Sequence, residues 1–198
     1  MHALILKLSK LFINNLISKD LINSKLKMEQ IKKEGQITIL FGGKISVGKS
    51  NIAQKFCGVD NQLPYCINRI QKCGMNLKIT LIDTLRHEIF GAGNMKNYFK
   101  LILKGGCLVL VYDITDRNSF EEMIKYYFES MKIQDRKFTY LLLGNKLDQS
   151  FNRQVSFSEG KSFSDSYGIL FFEVSSLFKL NIEEAYNQLI EETIERIF

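Results

Sequence analysis

The eight residues Gly43-Lys44-Ile45-Ser46-Val47-Gly48-Lys49-Ser50 constrain this chain more than any other feature, because they match G-x-x-x-x-G-K-[ST]. Such a loop binds phosphate only between a strand and a helix. The apolar run at 37–41 precedes it and a helical pattern at 49–56 follows it, so the context fits. The glycines let successive backbone N–H groups and the helix N-terminus face an anion. Lys49 is placed to reach the β and γ oxygens and Ser50 to ligate Mg²⁺. The candidate phosphate-binding residues are Gly43, Ser46, Val47, Gly48, Lys49, Ser50 and Asn51. Dinucleotide binding is excluded, since no G-x-G-x-x-G follows a strand.

Short apolar runs recur at 37–41, 77–82, 107–112, 140–143 and 169–174, alternating with helical patterns at 49–56, 95–104, 119–131, 156–167 and 182–197. This alternation predicts an α/β fold with parallel strands. The run 69–73, joined to Leu77 through Gly74-Met75-Asn76, reads as one hairpin and so as one antiparallel strand. About six strands flanked by helices follow, in a single domain over 35–198.

Ahead of it, residues 1–34 carry Leu4, Ile5, Leu8, Leu11 and Phe12 at helical spacing, an amphipathic helical extension. Seven Lys against Asp20, Glu29 and Glu34 give this segment +4 of the total +6. The remaining chain is nearly neutral, which argues against nucleic acid as a partner. The segment reads as an interfacial membrane helix, as a helix packed on its own domain, as an Arg-free organelle leader, or as upstream sequence before a true start at Met28. No apolar stretch approaches the length of a bilayer span. Cys57, Cys66, Cys73 and Cys107 form no C-x-x-C pair and are expected to be reduced thiols.

Asn145-Lys146-Leu147-Asp148 follows the strand at 140–143. A carboxylate such as Asp148 accepts hydrogen bonds from guanine N1–H and the 2-amino group, which adenine does not offer. With the phosphate loop, this motif makes the chain resemble the Ras superfamily of small GTPases. The resemblance extends over nearly all of 36–198. The segment from Leu108-Val109-Leu110-Val111-Tyr112-Asp113-Ile114-Thr115 through Asp116-Arg117-Asn118-Ser119-Phe120 is similar to Rab-like members, and Phe172-Glu173-Val174-Ser175-Ser176-Leu177 to their last base-contacting loop. The resemblance implies a P-loop NTPase Ras-like fold binding GTP or GDP with Mg²⁺. Asn145, Lys146, Asp148, Ser175, Ser176 and Leu177 would contact the base. Ser176 and Leu177 depart from the family's Ser-Ala-Lys, though the contact expected there is largely through backbone.

Other departures gather at the γ-phosphate. Asp83 begins the family's D-x-x-G, where its acid assists Mg²⁺, but Arg86 stands for the Gly and His87 for the water-orienting Gln. His87 is the candidate catalytic residue; GTPases of the translation-factor kind use His here, and the other reading is a solvated side chain. Counting from Ser50, the Mg²⁺-binding Thr falls near Asn68, in Tyr65-Cys66-Ile67-Asn68, and the hairpin between it and Asp83 is short. Ile45 stands where the family usually has Gly or Ser, and the resemblance implies that it would project toward the catalytic water. The metal ligands implied are Ser50, Asp83 and Asn68.

The resemblance therefore implies a Rab-like guanine-nucleotide switch, partnered by an exchange factor, a GTPase-activating protein and effectors in vesicle trafficking. Hydrolysis is expected to be slow or partner-dependent. The alternative is a pseudo-GTPase scaffold or complex subunit. The expected location is cytoplasmic, with peripheral contact on an intracellular membrane through the N-terminal helix. No cysteine follows Cys107, so C-terminal prenylation is not expected.

Overall fold

A computed structural model describes residues 33–58, 65–83, 106–132 and 138–198. The N-terminal extension to residue 32, the helix predicted at 95–104, and Arg86 and His87 lie outside the described residues.

Six strands form one sheet: β1 (Lys33–Gly42), β2 (Tyr65–Lys72), β3 (Met75–Ile82), β4 (Gly106–Asp113), β5 (Phe138–Asn145) and β6 (Leu170–Glu173). Their order is β2-β3-β1-β4-β5-β6, and β2 alone runs antiparallel to its neighbour. The described helices are α1 (Lys49–Cys57), α2 (Arg117–Met131), α3 (Phe157–Tyr167) and α4 (Ile182–Ile197). The expected fold class is observed.

Period-two alternation in the central strands explains why both faces of the sheet are covered. From β4, Cys107, Val109 and Val111 point into one core with Ile52 and Phe56 of α1 and Leu189 and Ile190 of α4. Leu108, Leu110 and Tyr112 point the other way, against Phe120, Met123 and Tyr127 of α2. β4 is buried along its whole length, as a strand walled by helices on both sides must be.

β1 starts at Lys33, so Lys33 and Glu34 belong to the sheet, opposite Met75 and Asn76, rather than to the preceding extension. The hairpin is tighter than its sequence reading. Lys72 pairs with Met75, leaving a two-residue turn at Cys73 and Gly74. Both have positive φ, +51° and +73°, the mirror-image turn whose twist matches paired strands. Cys57 at the end of α1 and Cys66 in β2 lie side by side, their Cα atoms 6.5 Å apart, while Cys73 and Cys107 stand apart from them. Sequence separation gave no sign of this, because α1 and β2 meet only through the core they share.

Candidate functional site

β1 pairs with β3 on one side and β4 on the other, so successive connections leave the sheet in opposite directions at its centre. A crevice opens there, beyond the C-terminal ends of β1, β4 and β5. The phosphate loop leaves β1, Asp113 ends β4 and Asn145 ends β5, with Asp113 and Asn145 directly opposed in the ladder. Parallel pairing thus brings three distant segments to one rim.

The loop is shaped by two glycines that no other residue could replace without movement. Gly43 has φ +138°, and a Cβ there would lie 2.2 Å from the Val111 carbonyl oxygen. Gly48 has φ +97°, and its Cβ would lie 2.2 Å from Asn145 Nδ2. Ser46 also takes positive φ, +67°. Gly48 caps α1, and its carbonyl accepts from Ile52 N at 3.0 Å in the first helical bond. The N–H groups of Lys49, Ser50 and Asn51 precede that ladder and have no intrahelical acceptor, the arrangement that favours an anion. No acidic residue stands in this first turn.

Lys49 folds back over the loop, donating to the Gly43 carbonyl at 2.8 Å and the Lys44 carbonyl at 2.7 Å. Burial lowers its ammonium pKa below the ordinary lysine value, and the nearby Asp83 carboxylate opposes that shift. Asp83, just past β3, is buried, and its Oδ1 has no hydrogen-bond partner among the described residues. A buried carboxylate oxygen without a partner among the described residues, on an acid whose charge is felt by the phosphate-loop lysine, suits a hard divalent cation, so the donor chemistry of Ser50 and Asp83 fits Mg²⁺.

Asn68 does not join them. It lies in the middle of β2, opposite Ile79, four residues before Asp83 on the partner strand and so ~13 Å from the rim. A two-residue turn carries β2 up to Tyr65 before the strand ends, and this places Asn68 within the ladder. Counting from Ser50 took no account of where β2 begins, and β2 has already begun at Tyr65.

Asn145 is buried at 1% exposure and ties the loops together. Its Nδ2 donates to the Val47 carbonyl at 2.8 Å and to Ser176 Oγ at 3.2 Å, while its Oδ1 accepts from Ser176 N at 3.0 Å. Ser175 Oγ donates to Asp148 Oδ1 at 2.5 Å and accepts from Phe178 N at 3.2 Å, fixing the carboxylate against the last loop. Lys146, at φ +65°, is ion-paired with Asp113 Oδ2 at 2.6 Å. Leu177 is 71% exposed, Asn51 is exposed and Ile45 is 41% exposed. Sequence reading did not single out Lys44, Asp113 or Asp116, whose charged groups meet only in three dimensions.

The family model described as the Ras family matches residues 38–195, spanning the phosphate loop, the sheet and the base loops. The chain belongs to the Ras family of small GTPases. The GTPase is 32% identical over 165 residues to the Ras-related protein Rab-2B of Dictyostelium discoideum, covering 78% of this chain and 79% of that one. It is 28% identical over 186 residues to Ras-related protein RabZ of the same organism, covering 88% and 79%. It is 37% identical over 118 residues to rat Ras-related protein R-Ras, covering 59% and 52%. The GTPase is accordingly a Rab-like guanine-nucleotide-binding switch. No described helix is long and apolar enough to cross a membrane.

Proposed function

We propose that the GTPase holds GTP or GDP with Mg²⁺ in this crevice and hydrolyses GTP slowly unless a partner completes the site. The observation that carries the reading is the Asn145 side chain, which joins the phosphate loop through the Val47 carbonyl to the base loop through Ser176. In this reading Gly43, Ser46, Val47, Gly48 and Lys49, with the first turn of α1, enclose the phosphates. Ser50 and Asp83 would hold Mg²⁺, which neutralises phosphate charge when bound. Asp148, with Ser175, Ser176 and Leu177, selects guanine, and Lys146 braces the pocket.

Slow turnover is supported by the chain's own departures: Ile45 in the phosphate loop, and Arg86 and His87 after Asp83. A positioned water and its orienting residue supply roughly 10²-fold or more in rate. Exchange factors, activating proteins and effectors are the proposed partners. The proposed membrane attachment is peripheral, through residues 1–32, tested by vesicle flotation with and without them. No observation among the described residues favours a scaffold without nucleotide.

The nucleotide released on denaturing the purified protein tests the proposal. GDP, or GTP whose hydrolysis quickens after Arg86→Gly with His87→Gln, is expected. Absence of guanine nucleotide, or equal competition by ATP, overturns it. Asp148→Asn is expected to shift preference toward xanthine nucleotides, whose C2 oxygen suits an amide donor.

A further inference from the structure

Lys44 is the second residue of the phosphate loop, and its two ends do different things. Its carbonyl accepts one hydrogen bond of the Lys49 ammonium, at 2.7 Å. Its own ammonium reaches across the crevice to Asp116 Oδ2 at 3.0 Å. Asp116 is itself fixed. Its Oδ1 caps α2 by accepting from Asn118 N at 3.1 Å, and its backbone N–H donates to the Asp113 carbonyl at 3.0 Å. Hydrogen bonding to Lys44 holds its carboxyl below the usual carboxylate range.

Three residues earlier, Asp113 does the corresponding work for the base loop. Its Oδ2 pairs with Lys146 Nζ, and its Oδ1 accepts from Thr115 N at 2.9 Å and Thr115 Oγ1 at 2.7 Å. Ser119 Oγ accepts from Asp113 N at 2.9 Å and donates to the Asp116 carbonyl at 2.7 Å, locking the turn between the two acids. The turn is hydrogen-bonded within itself and presents a carboxylate to a lysine of each loop.

We propose that the turn Asp113–Asp116 is a strut between the phosphate loop and the base loop, and that Lys44 is a positioning residue which slows nucleotide release through its ion pair with Asp116. The inference rests on the reading that this crevice holds guanine nucleotide. Lys44 acts through Lys49: a fixed Lys44 carbonyl holds the ammonium that meets the phosphates. Both partners are partly exposed, so the pair resembles a surface ion pair in strength and is screened by salt.

The test is the release rate of a fluorescent GDP analogue from the full chain with Mg²⁺. Lys44→Met and Asp116→Asn are expected to raise it about two- to fivefold, the strength of an exposed pair. Asn is as good a helix cap as Asp, so Asp116→Asn removes charge and keeps α2 intact. The double variant is expected to release no faster than either single one, Lys44→Arg to restore wild-type release, and all forms to converge at 1 M KCl. Full additivity, a change from Lys44→Met alone, or differences that persist in high salt would overturn the strut, the second pointing to direct contact between Lys44 and phosphate. Wild-type protein that retains no GDP analogue would refute the nucleotide reading instead, so the two failures are distinct.

Discussion

Replacing Asn145 with alanine should damage the fold as well as the site, and the damage can be sized. The side chain makes three hydrogen bonds in a place where its own exposure is 1%, Val47 is 1% exposed and Ser176 is 8% exposed. Its loss strands the Val47 carbonyl and the Ser176 N–H, each at about 1–3 kcal/mol for a buried group without a partner. Ser176 Oγ can rotate toward water and adds little. Water entering the vacated space offsets part of the cost, leaving about 2–4 kcal/mol. For a domain of this size that lowers Tm by about 6–12 °C. The assay is urea unfolding followed by circular dichroism in saturating GDP, with Ser176→Ala as comparison. That second variant keeps the backbone bond and should cost no more than ~1 kcal/mol. A destabilisation under ~1 kcal/mol for Asn145→Ala, at unchanged denaturant slope, would refute the claim that this side chain braces both loops.

Two further outcomes follow from charged groups away from the crevice. Hydrogen bonds from the Ser156 backbone, Arg117 and the Ser156 hydroxyl hold the Glu159 carboxyl down to about 2. A depressed acid contributes stability that is complete above its unfolded pKa of ~4.3 and lost as pH falls toward 2, so Glu159→Gln should flatten the acid limb of a Tm-against-pH curve over that window while leaving pH 7–8 differences constant. Arg153 clamps the buried Glu173 through both nitrogens, at 2.5 and 2.8 Å. Arg153→Met leaves that carboxylate unpaired and should cost about 3 kcal/mol by chemical denaturation, with Arg153→Met/Glu173→Gln recovering part of it.

The sheet was legible because each central strand sits between helices. Burial on both faces writes a continuous apolar run such as 107–112 into the sequence, and the glycines and polar turns between runs mark where chains reverse. Helix α4 was legible to the residue for a related reason: its apolar positions, Ile182, Ala185, Leu189, Ile190 and Ile194, keep one face on the core throughout. The phosphate and base motifs were legible because both are local, with spacing set by backbone geometry. What escaped is what depends on contact between distant segments. Nothing near Lys44 in sequence points to Asp116, 72 positions away. The closeness of Cys57 to Cys66 and the position of Asn68 both depend on where β2 lies, and a two-residue turn at Cys73–Gly74 sets that, although its three-residue reading differed by only one position. Register errors of this kind are small in sequence and large in space, because each residue of slip moves a side chain ~3.3 Å and turns it to the other face.

The bond from Asn145 to the Val47 carbonyl spans 98 positions of chain, and the bond to Ser176 spans 31. Contacts so far apart require β1, β4 and β5 to lie side by side, and bringing such distant segments together costs loop-closure entropy. A chain emerging from the ribosome therefore completes its phosphate loop early in synthesis but cannot brace it until the segment carrying Ser176 has been made. Nucleotide capture is thereby expected to require the chain at least as far as Ser176. A truncated or misregistered chain keeps the Gly-Lys-Ser sequence yet lacks the partner that fixes it, and guanine-nucleotide retention becomes a direct readout of whether the whole sheet has assembled.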